Sequence, residues 1–303
     1  MKKSTWLVML MALTLAAGCS PDDAGTPAPV AATATPPAPT TPPEDCTPTA
    51  TPPPFTFETP AVIIEPPVLI PTVTTTPPPV NLPEETLILF SPGPGSQLAS
   101  PFTVAGFGGP SLDDVVHLRL LGEGGSVLAE RDGYLLVLPG NPGRFYAEMN
   151  FSVDLVGEEG RLEVSMRSPL TGNLSHITTV DLVLLSTGLA RVRTALAGPE
   201  RLTLLSPPAE SRIEGHRVLV SGVGWTQSSR PLSIEVRDIN GTVLGSTQAE
   251  VVAPSVGQLG TFEAELTYDA SYPQWGTIVV AETSATGIPG IIHLASVDVW
   301  LSP

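Results

Sequence analysis

The sequence predicts an all-β chain: two tandem β-sandwiches behind a long proline-rich segment. Three observations predict it. One unit of roughly 105 residues is written twice, each copy alternates apolar and polar residues with period two, and twenty of the 35 prolines fall between Ser20 and Pro83, ahead of both copies.

The repeat decides the architecture. Thr86-Leu87-Ile88-Leu89-Phe90-Ser91-Pro92 is echoed by Arg201-Leu202-Thr203-Leu204-Leu205-Ser206-Pro207, and Val104-Ala105-Gly106 by Val220-Ser221-Gly222. Gly143-Arg144-Phe145-Tyr146-Ala147-Glu148-Met149 returns as Gly260-Thr261-Phe262-Glu263-Ala264-Glu265-Leu266, and Val180-Asp181-Leu182 as Val297-Asp298-Val299. The offset stays between about 115 and 117 residues, so the copies are expected at 84–188 and 199–303. Fragments starting near Glu84 and near Pro199 are each expected to fold alone.

Within a copy, runs such as Leu232, Ile234, Val236 and Phe262, Ala264, Leu266 put every second side chain on one face, as a half-buried strand requires. Asn240-Gly241 is a hairpin dipeptide that tolerates positive φ, and Gly124-Gly125 fills the same place in the first copy. About seven such strands per copy, separated by turn residues, point to a sandwich. Neither copy contains a cysteine, so no inter-sheet disulfide is expected.

From Ser20 to Pro83 the chain is Pro, Thr and Ala, with six acids and no bases. Runs such as Thr51-Pro52-Pro53-Pro54 lack the amide donors that helices and ladders need, so residues 19–83 read as a disordered, partly polyproline-II tether. Dense Thr with Pro also fits O-glycosylation. The apolar patches Ala61 to Ile64 and Val68 to Ile70 read as sticky linker or as short strands docking on a domain edge. Cys46 has no histidine near it and reads as a free or opportunistically oxidised thiol.

The first eighteen residues read as a signal peptide. Lys2 and Lys3 form a basic start, and Trp6 to Ala17 is an apolar stretch too short to span a bilayer. The ending Leu15-Ala16-Ala17-Gly18-Cys19 resembles the lipobox of bacterial lipoproteins, beside the plain alternative of an ordinary signal peptide with an incidental cysteine. The resemblance implies cleavage before Cys19, a diacylglyceryl group on its sulfur, and a mature chain held on a membrane outside the cytoplasm. Ser20 in the next position leans toward the outer membrane where the organism has one.

A second resemblance covers nearly all of the first copy. Leu87 to Gly95, then Ser100-Pro101-Phe102-Thr103-Val104 with Gly106, Gly125 with Val127-Leu128-Ala129-Glu130, and Gly143 with Phe145 resemble the immunoglobulin-like domain of bacterial spore germination proteins, the Gmad type. The second copy departs at Pro207-Pro208-Ala209-Glu210, where the first has Pro92-Gly93-Pro94-Gly95. The resemblance implies an extracytoplasmic immunoglobulin-like sandwich, commonly on lipoproteins, with no catalytic residues to carry over.

Charge and composition exclude several classes. The net charge is −16, Lys2 and Lys3 are the only lysines, and the arginines are scattered, so no basic face exists to release counterions from nucleic acid. No cofactor motif is present, and neither His176 nor His293 has an acid or a cysteine at metal-ligand spacing. His176 and His293 correspond between copies and read as satisfied or solvent-facing; Asp113-Asp114 reads as a turn before a strand rather than half of a calcium site. No Gly-x-Ser-x-Gly elbow raises a nucleophile, which makes an envelope hydrolase the weakest reading. The segment Leu189 to Pro199 between the copies carries Arg191 and Arg193 and no acid.

What remains is binding. Trp225, Tyr272 and Trp275 are the candidate ligand-binding residues, as loop aromatics at one end of the second sandwich, or else plugs of its core. Expected, then, is a non-catalytic, lipid-anchored envelope protein presenting two immunoglobulin-like domains for a structural role or for binding an envelope protein or glycan, with a germination-associated role as its narrower form. The alternative is a carbohydrate-binding module using the aromatics of the second copy.

Overall fold

The computed structural model describes residues 82–303. The signal peptide, Cys19, Cys46 and the proline-rich tether lie outside the described residues.

Each copy is an eight-stranded sandwich. The first comprises β1 (Ile88–Ser91), β2 (Gln97–Ala99), β3 (Phe102–Gly108), β4 (Val115–Leu121), β5 (Val127–Tyr134), β6 (Gly143–Met149), β7 (Gly157–Arg167) and β8 (Leu174–Leu185). The second comprises β9 (Leu202–Ser206), β10 (Arg212–Ile213), β11 (Arg217–Gly224), β12 (Leu232–Asp238), β13 (Val243–Ala249), β14 (Gly260–Thr267), β15 (Gln274–Thr283) and β16 (Ile291–Leu301). In each, a three-stranded sheet (β1-β3-β6, then β9-β11-β14) faces a sheet of four long strands (β5-β4-β7-β8, then β13-β12-β15-β16). A short strand, β2 or β10, adds parallel to β8 or β16. This is the order of an immunoglobulin-like sandwich.

The repeated motifs have a packing reason. Gly106 on β3 pairs with Phe145 on β6, and Gly222 on β11 with Phe262 on β14. A Cβ on Gly106 would lie 2.3 Å from the Phe145 ring, and one on Gly222 would lie 2.4 Å from the Phe262 ring. Each phenylalanine therefore lies across bare backbone, and both rings are buried in the core of their own copy. The alternation continues outward from them, with Val104 and Met149 in one core and Val220 and Leu266 in the other. The hairpin glycines also behave as their residue type dictates: Gly124 and Gly241 have φ of 69° and 80°. Asp238 braces the second hairpin, its Oδ1 accepting the Asn240 and Thr242 amides at 2.8 Å each. Asp113 and Asp114 sit in the 3-10 turn before β4, at φ 55° and 56°.

The copies are not beads on a string. β8 and β16 pair antiparallel, with Ile177 opposite Leu294, His176 opposite Ala295 and His293 opposite Thr178. Because β8 and β16 are equivalent at an offset of 117, the Ile177–Leu294 rung lies on a pseudo-twofold axis. The two large sheets thereby merge into one sheet of ten strands. Ile177, Leu294, Val279 and Ala281 form a separate small core at the seam.

The connecting segment is tied down as well. Arg191 and Gln97 exchange backbone hydrogen bonds of 2.7 and 3.0 Å, Gly93 N–H donates to Arg193 O, and Ala195 N–H donates to Phe90 O. The separate folding expected of the two copies thus concerns units that share a sheet, a seam and a docked linker.

Candidate functional site

Trp275 and Trp300 face each other from neighbouring strands. They are direct register partners on β15 and β16, with ring centroids 5.4 Å apart and planes at 83°, an edge-to-face pair. The alternation explains their position. Ile278, Val280, Val299 and Leu301 fill the core, so Trp275, Thr277, Asp298 and Trp300 stand on the opposite face of the sheet. Both tryptophans are half-buried. Trp275 is therefore neither a loop residue nor a core plug. Tyr272, in the turn just before β15, is 57% exposed.

Trp225 belongs elsewhere. It follows the end of β11, whose last residue pairs with Gly260 at the start of β14, whereas Tyr272 and Trp275 lie beyond the end of β14. Along an eight-residue strand those ends are roughly 25 Å apart. Trp225 donates its amide to Arg201 O and sits beside the seam between the copies. The three aromatics do not make one patch; Trp275 and Tyr272 share the far end of the second copy with Trp300.

The first copy borders that patch. Its β7–β8 loop crosses the seam onto the open face of β15 and β16. Asp298 accepts hydrogen bonds from Ser168 Oγ, from Thr171 Oγ1 at 3.0 Å and from Thr277 Oγ1 at 2.8 Å. Asn173 Nδ2 donates to Asp238 O at 2.8 Å and to Thr277 Oγ1 at 3.0 Å. Thr277 and Asp298 are each two residues from a tryptophan of the pair, so the loop lies next to the aromatic patch.

The contact is reciprocal. The β15–β16 loop crosses onto the first copy, where Arg161 is 2% exposed. Its Nε donates to Asp181 Oδ1 at 2.7 Å, Nη1 to Ile288 O at 2.9 Å and Nη2 to Thr286 Oγ1 at 2.9 Å.

On the other side of the seam lies a cleft of about 430 Å³ whose lining includes Glu85, Arg201, Gln227, His293 and Thr178. The four histidines divide accordingly. His117 pairs with Asp132 at the surface at 2.7 Å, and His216 Nδ1 lies 3.2 Å from Tyr268 O. His176 and His293 stand at the seam; the expectation of a satisfied or solvent-facing ring holds for His293, whose Nε2 lies 3.3 Å from Gln227 Nε2, and needs correction for His176. His176 Nδ1 is shut off from solvent with no hydrogen-bond partner, and burial lowers His176 to about 4. Burial, with Arg201 and Arg161, lowers His293 to about 3. The reason is the β8–β16 pairing, which covers strand starts that would be open in a lone sandwich.

Sequence reasoning missed Trp300 and the seam acids Glu85 and Glu200. Trp300 was findable, since it falls out of phase with Val297, Val299 and Leu301. The acids carry no local signal. Among the described residues no group of three or more His, Cys, Asp or Glu is placed to hold a metal ion.

No family model matches the chain, and no curated relative matches it. The crystal structure of red sea bream transglutaminase is similar over 71% of this chain and 31% of that one, at 12% identity and a TM-score of 0.24. This chain spans about a third of that protein, and the likeness is too distant to bear on function.

Proposed function

We propose that this chain is a lipid-anchored envelope protein whose paired immunoglobulin-like sandwiches bind a protein or glycan without turning it over. The observation that carries the reading is the Trp275–Trp300 pair on an open sheet face, flanked by Tyr272 and by the β7–β8 loop. Aromatic rings that are apolar in body and polar at one edge supply contact area at low entropic cost. The lipobox-like Leu15 to Cys19 and the resemblance of the first copy to germination-type domains support an extracytoplasmic, membrane-held setting, with a germination-associated role as its narrower form. No cofactor is invoked.

The second reading, a carbohydrate-binding module, is favoured by the grouping of Trp275, Trp300 and Tyr272 at one end of one copy. A glycan array and peptidoglycan fragments titrated against the purified chain separate the two. Saturable glycan binding weakened in Trp275→Ala and Trp300→Ala supports the module. Binding confined to a purified envelope protein, and weakened by the same changes, supports a protein partner. Binding untouched in both folded variants removes the patch from the function.

A further inference from the structure

The two sides of the seam are built from different chemistry. On the outer side the crossed loops end on Asp181 and Asp298, each met by donors. On the inner side, acids and histidines meet with few partners.

Glu84 forms an isolated antiparallel bridge with Pro199. Glu85 N–H donates to Gly198 O at 3.2 Å, and Glu200 N–H donates to Pro83 O at 2.9 Å. Glu85 and Glu200, equivalent residues of the two copies, are thus brought together across the pseudo-twofold axis. His176 and His293 lie beside them as diagonal cross-strand neighbours on one face, with Cα atoms about 7–8 Å apart. These four and Arg201, with apolar neighbours that include Leu87 and Leu202, line a void of about 10 Å³, room for about one water. Glu200 Oε2 accepts the Thr86 amide at 2.9 Å.

The remaining groups around this cluster come from three elements. β15 brings Glu282, 1% exposed, with one oxygen on the Gln227 amide and the other unpartnered. The turn after β11 brings Gln227, whose Nε2 lies 3.3 Å from His293 Nε2. β7 brings Arg161, held by the outer clasp.

We propose that the seam is a proton-operated lock: a protonated Glu200 keeps the inner side closed, and loss of that proton lets the sandwiches part about the outer loop clasp. Two carboxylates drawn out of water beside each other resist joint ionisation. Burial raises Glu200 to about 7, against the Thr86 amide and with the help of Glu85; burial also raises Glu85, against Arg201. Burial raises Glu282 as well. The Glu200 contribution to closure is complete below its ordinary value near 4.5 and is lost as pH rises to about 7. The histidines act in the opposite sense. Their contribution is complete above about 6.5 and is lost as pH falls toward 4 for His176 and 3 for His293. Between these limits the closed seam holds a proton on Glu200 and none on the His176 and His293 imidazoles.

The test is hydrogen–deuterium exchange of the full chain from pH 5 to 8, corrected for intrinsic rates. It compares wild type with Glu200→Gln, which keeps the Thr86 hydrogen bond without the charge. The variant-to-wild-type ratio of protection at residues 174–178 and 291–295 should grow by up to about tenfold per pH unit between pH 5 and 7. The strands β4 and β12, inside the separate cores, should show no such growth. Equal protection of the two proteins at every pH overturns the lock, as does loss of β4 and β12 protection in step with the seam. Should Glu200→Gln fail to fold, Glu85→Gln serves instead. A shallower pH dependence at the seam supports the proposal, and an unchanged one overturns it.

Discussion

Gly222 shows how much one missing atom can do. A Cβ there would come within 2.3 Å of Thr203 O and 2.4 Å of the Phe262 ring, both fixed by the sheet and core. Gly222→Ala is therefore expected to cost about 1–3 kcal/mol through overpacking, read as a lowered melting temperature. An alanine variant as stable as wild type would mean that the ring has another place to go. Trp300 makes the complementary case. It is half-buried and out of phase with the core, so Trp300→Ala should cost little stability. If the patch binds, the same change should weaken binding by about 2 kcal/mol, as for other interface anchors. A variant that loses folding and binding together would mark Trp300 as a structural residue.

Among the elements, β8 and β16 carry the most consequence. Alone, each would present an open strand start, a template for unwanted pairing. Here each covers the other, and the loops that follow β7 and β15 cross the seam to fasten it. Asp298→Ala would strip the acceptor from Ser168, Thr171 and Thr277, two of which belong to the other copy. The expected loss is about 1–3 kcal/mol, the cost of taking the charged acceptor from hydroxyls that keep only their bonds to one another and to nearby amides. It should appear as faster exchange at residues 291–295 with β4 unaffected; exchange unchanged at the seam would show that the clasp bears no stability.

For the whole molecule, two cores that share no residue are joined by a third. Fragments 84–188 and 199–303 should each melt cooperatively, but below the full chain, because separation exposes Ile177, Val279, Ala281 and Leu294 to water. Calorimetry of the two fragments and the parent checks this; a fragment as stable as the parent would make the seam a mere contact. At the other end of the chain, Cys19→Ala should move the protein from the detergent phase to the aqueous phase on Triton X-114 partitioning. Unchanged partitioning would remove the proposed lipid anchor.

The sequence by itself determined the all-β class, the duplication and the sandwich in each copy. Those follow from local rules: side chains alternate with period two, glycine alone fits beneath Phe145 and Phe262, and Asn240-Gly241 turns a hairpin. Trp275 was legible as an unusual aromatic, and the inequality of the copies was visible in Glu159 standing where the second copy has Trp275. Tertiary structure decided which residues meet. Trp275 finds Trp300, Trp225 is carried to the opposite end, and Glu85 is brought to Glu200 from 115 residues away. Nothing near Glu85 or Glu200 in the chain hints at their pairing, because it depends on two strand edges closing around an axis. Periodicity reports which face of a strand is buried; it carries no information on which edge joins which, since backbone amides and carbonyls are the same at every residue but proline.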